Sequence, residues 1–155
     1  MKNIVVLGIG NYLFSDEGIG VHVVNEIKKW ALPENVTVHD AGTLGILSAP
    51  LFEGSDMMIL IDSVDAEGEP GDVMIYTKDD IMLDRIPLKL SPHQIGIQET
   101  LLVSDLRGQC PQEVLFFGAI PASYETSIEL TEAGEKAKAE ILEKLKEILL
   151  PGGGS

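Results

Sequence analysis

The sequence predicts an α/β fold in which one mostly parallel sheet is covered on both faces by helices. Three observations carry this. Short apolar runs alternate along the chain with stretches of helical periodicity. The run at 57–61 is apolar at every position, as in a strand buried on both faces. The first apolar run passes through a glycine-rich turn directly into a helical pattern, the layout of a strand-to-helix unit.

Taken in order, residues 3–8, centred on Ile4-Val5-Val6-Leu7, read as a buried strand and 16–30 as a helix. Ile19, Val23, Ile27 and Trp30 fall on one face of that helix, with Val24 beside them, and Pro33 ends the pattern. In 35–40, Val36 and Val38 alternate with polar neighbours, giving a second strand that closes at Asp40. Residues 44–53 suit a short helix, and the strand at 57–61 ends at Asp62. A turn at 67–71 precedes a strand at 73–77, and 79–90 takes no assignment. "SPHQ" at 91–94 opens a helix to about 106, because Ser91 and Gln94 form an S-x-x-Q capping box with Pro92 at the first helical position. A loop, "RGQCPQ", leads to a strand at 114–119. The last helix, 131–149, stripes Ala133, Ala137, Ile141, Leu145 and Leu149, with Glu132–Lys136 and Glu140–Lys144 pairs on its wet side. Residues 1–150 are expected to form a single domain, and "PGGGS" at 151–155 a flexible tail or expression remnant.

Composition narrows the function. A hydrophobic content of 45% with 23% charged residues is that of a soluble globular domain. No apolar run approaches the roughly 20 residues of a membrane helix, and the N-terminus lacks a signal-peptide layout, so a cytoplasmic location is expected. The lone Cys110 excludes an internal disulfide. A net charge of −14 repels nucleic acid and anionic membranes, so neither is an expected partner; a basic protein partner is the sharper reading.

"GIGNYLFSDEGIG", 8–20, resembles a dinucleotide-binding loop at first sight. Gly8 and Gly10 fit that fingerprint, but Leu13 stands where the third glycine belongs, and Asp40 lies too far along for the ribose acid. Asp16 and Glu17 would repel an anion at the helix start. Instead, three side chains fall at the carboxyl rim of the sheet, where open α/β folds bind ligands: Glu17 after the first strand, Asp62 ending the third, and His93 in a helical first turn. The positive helix terminus disfavours imidazolium at His93, leaving the neutral ring a metal needs. Two carboxylates and an imidazole suit a borderline ion such as nickel or zinc. Each also has a plainer role: cap and dipole partner for Asp16 and Glu17, turn cap for Asp62, helix-start surface residue for His93. Elsewhere, His22 reads as a surface pair with Glu26, His39 meets solvent or a neighbouring loop, and Cys110 carries no nucleophile signature. H-E-x-x-H and G-x-S-x-G are absent.

With these residues in place, the sequence closely resembles the hydrogenase maturation endopeptidases. The resemblance runs through "VLGIGNYLFSDEGIGVHVV", "DAGT" at 40–43, "ILIDSVD" at 59–65, "PGDVMIY" at 70–76, "SPHQIG" at 91–96, "FFGAIPAS" at 116–123 and "LTEAG" at 130–134, in order over nearly the whole chain. It implies a three-layer α/β/α sandwich and a cytoplasmic protease that trims the C-terminal extension of a NiFe-hydrogenase large-subunit precursor after nickel insertion. It also implies that Glu17, Asp62 and His93 recognise nickel carried by that substrate. Asp62 is the expected general base and Asp40 an auxiliary carboxylate, an aspartyl-type chemistry. Ala41 replaces the second residue of the family's Asp-Gly-Gly-(Thr/Ser), and the first-loop acid is Glu where some members carry Asp. A non-enzymatic nickel-binding module or chaperone is the alternative.

Overall fold

The computed structural model describes residues 2–42, 48–83 and 92–150, and of 92–97 the backbone alone. Five strands, β1 (Ile4–Ile9), β2 (Val36–Gly42), β3 (Met57–Ser63), β4 (Val73–Thr77) and β5 (Glu113–Ala119), form one sheet in the order β2-β1-β3-β5-β4. All neighbours are parallel except the edge pair β4 and β5. The α-helices among the described residues are α1 (Ile19–Ile27), α2 (Ala49–Phe52), α3 (Lys78–Met82), α4 (Pro92–Leu106) and α5 (Glu132–Leu149).

The period of two along each strand divides its side chains between two cores. On one face, Ile4, Val6, Ile59, Ile61 and Phe117 meet Val23, Val24 and Ile27 of α1 and Ala137, Ile141, Leu145 and Leu149 of α5. On the other, Val5, Leu7, Met58, Leu60 and Phe116 meet Phe52 of α2, Ile81 of α3 and Leu101 of α4. The expected three layers are therefore present. β1 and β3 lie centrally and every residue of both is buried, which is why their sequences read as unbroken apolar runs. No helix among the described residues is long and apolar enough to cross a membrane.

Several boundaries moved for local reasons. The helix expected at 16–30 is a 3-10 turn, Ser15–Gly18, followed by α1, and Trp30 lies beyond the end of α1. Trp30 still packs against the core, with the Lys146 ammonium 5.6 Å from its ring centroid. The unassigned 79–90 begins with α3, which opens on a Thr77–Asp80 capping box with aspartate in place of the commoner glutamate. Of the helix expected at 44–53, α2 is present and 43–47 lie outside the described residues, as do Ser91 of the expected capping box and 151–155. The expected i,i+4 pairs on α5 do not form: Lys138 reaches Glu135 at 3.7 Å and Lys136 reaches Asp72 of the β4 approach at 4.0 Å. Such exposed pairs contribute little in either arrangement.

His22 is a larger correction. It does not pair with Glu26, which bonds Lys29 at 3.5 Å. Its ring packs against Tyr12 with centroids 4.7 Å apart, and its Nε2 is buried without a hydrogen-bond partner. Burial lowers its pKa below 6.5, helped by Lys138 and opposed by Glu135, a hydrogen bond to the Ile128 backbone and Asp16.

The helix-to-sheet contact is closest at Gly20. A Cβ there would overlap the carbonyl oxygens of Ile61 and Ile9, and one at the facing Gly8 would overlap the carbonyl of Gly20. Gly20→Ala must push α1 off the sheet and is expected to cost about 3 kcal/mol, read as a lowered urea midpoint. A pH effect follows from His22. The unfolded imidazole binds a proton below 6.5 that the folded ring resists, so stability falls as pH drops through that value. Urea midpoints at about pH 7.5 and about pH 5.5 are expected to differ less in His22→Phe than in the parent chain.

Candidate functional site

The parallel strands deliver their carboxyl ends to one rim. Gly8 lies opposite Asp40 on one side and Ile61 on the other, and Asp62 lies opposite Gly118. Directly after β1 the chain turns at Gly10, with φ +116°. That conformation favours glycine, and the space requires it: a Cβ would overlap the carbonyl oxygen of Glu17 and stand 3.1 Å from Asp62 Oδ1. Bare backbone at Gly10 is thus wedged between Glu17 and Asp62, bringing together two residues 45 positions apart in the chain.

Asp62 is fully buried, and its Oδ1 accepts a 2.7 Å hydrogen bond from the Ser63 N–H. It alternates in phase with Met58 and Leu60, on the face covered by α2, α3 and α4. Glu17 is half-buried in the 3-10 turn, its N–H donating to the Phe14 carbonyl at 3.1 Å. His93 stands in the first turn of α4 as expected, and its side chain lies outside the described residues. Among the described residues no group of three or more His, Cys, Asp or Glu side chains is placed to hold a metal ion, and the imidazole of His93 is not among them.

Asp40 occupies a different position. It is exposed on β2, in phase with Val36 and Val38 on the α1 face, and two strand spacings (roughly 10 Å) from β3. Its Oδ1 accepts from the Gly42 N–H at 2.9 Å. With Gly10, Asn11, Tyr12, Val21 and Gly42 it lines a cleft of about 160 Å³. Glu17 and Asp62 therefore share the Gly10 backbone, whereas Asp40 forms the cleft wall on its other side. Asn11 and Tyr12, which line the same cleft, carried no signal beyond their place in the glycine-rich loop.

Asp16 resolves the ambiguity of the two adjacent acids. It is buried, and it caps neither its own turn nor α1. Its carboxylate accepts from the Ala122 N–H at 2.8 Å, the Thr131 N–H at 2.9 Å and the Thr131 hydroxyl at 2.6 Å. Thr131 in turn caps α5, accepting from the Gly134 N–H at 3.1 Å. The acid thus serves a helix more than a hundred residues away. The preceding Ser15 holds φ +49°, an uncommon conformation for a non-glycine residue. It is secured by its N–H to the Ser127 carbonyl at 2.8 Å and its hydroxyl to the Glu129 carbonyl at 3.0 Å. Ser15 directs Asp16 inward and leaves Glu17 at the rim. Cys110 is half-buried, and burial pushes its thiol up and away from the reactive thiolate.

Comparison with known proteins agrees with this geometry. The hydrogenase maturation protease family model matches residues 21–148. The hydrogenase expression/formation protein HupD of Bradyrhizobium diazoefficiens is 39% identical over 125 residues, covering 80% of this chain and 65% of that protein. The hydrogenase 2 maturation protease of Escherichia coli is 34% identical over 152 residues, covering 97% of this chain and 92% of that protein. The solved structure of the hydrogenase maturating endopeptidase HybD from E. coli superposes with a TM-score of 0.89 at 33% identity, covering 99% of this chain and 94% of that one. The chain spans 60–65% of the length of three HupD relatives that it matches. A sheet of this order, a glycine-wedged rim and a family match over most of the chain lead to one conclusion: it belongs to the hydrogenase maturation protease family.

Proposed function

We propose that the chain is a cytoplasmic endopeptidase that removes the C-terminal extension of a NiFe-hydrogenase large-subunit precursor once nickel is in place. The nickel belongs to the substrate. The observation that supports this reading is the wedge at Gly10, which sets the Glu17 segment against a fully buried Asp62 carboxylate at the sheet's rim. Two carboxylates there attract a cation and repel the anionic groups a nucleotide would bring. His93, in the first turn of α4, adds a neutral nitrogen donor to the set.

In this reading the substrate's nickel, once met by Glu17, Asp62 and His93, holds the scissile peptide against the rim. Burial strengthens the field that Asp62 exerts on whatever it faces. Asp62 takes a proton from water as the oxygen attacks the peptide carbonyl, and returns it to the leaving amine as the C–N bond breaks. Asp40, from the cleft wall, acts on the chain approaching the bond. A precursor without nickel lacks the element that the three ligands grip, so trimming follows loading.

The test incubates the protein with nickel-loaded and nickel-free precursor and weighs the products. Only the loaded subunit is expected to lose its extension; equal trimming of both, or full activity in a Glu17→Gln/His93→Ala double variant, overturns the metal-reading mechanism. No mass loss from any precursor, with tight nickel binding by the isolated protein, would make the chain a non-enzymatic nickel module. The adjacent acids separate under amide replacement. Asp62→Asn and Glu17→Gln are expected to slow trimming by at least about 100-fold, with the urea midpoint nearly unchanged for the half-buried Glu17. Asp16→Asn is expected to cost about 2 kcal/mol of stability, because a buried acceptor of three hydrogen bonds becomes half donor.

A further inference from the structure

Two segments are laced together beside the candidate site. The Ser127 N–H donates to the Leu13 carbonyl at 2.9 Å, the Ser15 N–H donates to the Ser127 carbonyl at 2.8 Å, and Phe14 and Ser127 form a parallel bridge. The lacing satisfies the backbone of both segments while leaving large side chains in solvent. Leu13 and Ile128 are each 57% exposed, Tyr124 43% and Phe14 36%. Scattered exposed apolar residues need no explanation, but four on two joined segments form a patch. The patch adjoins the rim, since Phe14 accepts the Glu17 N–H and the preceding Asn11 and Tyr12 line the cleft.

Charge says what kind of partner fits. Neither lysine nor arginine occurs from residue 3 to 27 or from 108 to 135, the stretches that carry both segments. Exposed Glu125, Glu129 and Glu132 stand among and beside the apolar side chains. A second copy of a chain with net charge −14 would be repelled from such a surface, as would nucleic acid. A polypeptide segment with apolar side chains flanked by lysine or arginine is attracted by both components.

We propose that the patch formed by Leu13, Phe14, Tyr124 and Ile128 docks an apolar, basic segment of the precursor beside the bond to be cut. This rests on the protease reading above and gives it a second point of contact, away from the metal. Apolar burial supplies residence time, and the surrounding glutamates supply encounter rate. A precursor is then held by its own surface as well as by its nickel.

The experiment measures binding and cleavage of nickel-loaded precursor separately, for three double variants and the parent chain. Leu13→Ser/Ile128→Ser is expected to raise both Kd and KM about tenfold with kcat within about twofold of the parent. Glu125→Gln/Glu129→Gln, which keeps the apolar surface, is expected to slow association at low salt and flatten its ionic-strength dependence. Leu102→Ser/Leu106→Ser removes comparable exposed apolar side chains from the far half of α4, with Leu106 roughly 20 Å along the helix from His93, and is expected to change nothing. Patch variants that bind and cut like the parent overturn the docking surface, as does an equal loss in the α4 variant. Should the serine variant fail to fold, the glutamine variant decides alone, and an unaltered salt dependence overturns the proposal. A parent chain that binds with this pattern yet never cuts overturns the protease reading and leaves the surface standing.

Discussion

The backbone contact of Gly20 with the ends of β1 and β3 is the constraint on which the rest of the site depends. Helices normally stand off a sheet by the thickness of their side chains. Here two glycines, Gly8 and Gly20, remove that thickness at one point, so the first turn of α1 rests on the carbonyls of Ile9 and Ile61. The chain between them has only eleven residues in which to leave the strand, turn and come back to the sheet. Its path is short enough that Gly10 must pass between Glu17 and Asp62. An approach of backbone to backbone therefore brings the Glu17 segment against the Asp62 carboxylate.

The loop carries two adjacent acids, and the structure divides the labour between them. Asp16 is withdrawn from the rim and binds the Ala122 N–H together with the N–H and hydroxyl of Thr131 at the start of α5. Those charge-assisted bonds are among the stronger polar contacts a protein makes. They also fasten the rim loop to the helix that seals one face of the sheet, so the loop inherits the rigidity of the core. Glu17 is left to act as a charge, with its backbone already committed to Phe14. The same loop, anchored at Ser15 and packed through Tyr12 against His22, has little freedom left to be reshaped by a ligand.

Much of this was legible in the letters. β1, β3, β5 and α5 were readable to within a residue or two because burial on one or both faces imposes a simple period. The place of Asp62 at a strand end, of Glu17 just after β1 and of His93 in a helical first turn followed from the same periods, since strand ends and helix starts are where periods stop. The direction of β4 was not legible: a strand pattern fixes which side chains are buried, and an edge strand satisfies that pattern running either way. Nor was the partner of Asp16, because sequence spacing speaks only for neighbours within a turn or two, while Ala122 and Thr131 arrive from across the fold. His22 misled for the opposite reason. Its i,i+4 relation to Glu26 was real as spacing, but α1 presents that position to Tyr12 and the neighbourhood of α5 rather than to water. The family resemblance covered what periods could not, naming the loop "LTEAG" whose role is to receive the Asp16 carboxylate.

The left-handed residue at Ser15 has a consequence for how this loop can vary. It is the switch that sends one carboxylate of an adjacent pair into the core and the other to the rim. Adding or removing one residue between Gly10 and Ser15 would shift the switch and the pair together against their fixed partners. Ser15 would lose its register with Ser127 and Glu129, and Asp16 its register with Ala122 and Thr131. Side chains at Asn11, Leu13 and Phe14 can change with modest effect on the fold, whereas the count of residues cannot. In this segment the quantity under constraint is a length, and the loop behaves less like a flexible connection than like a ruler.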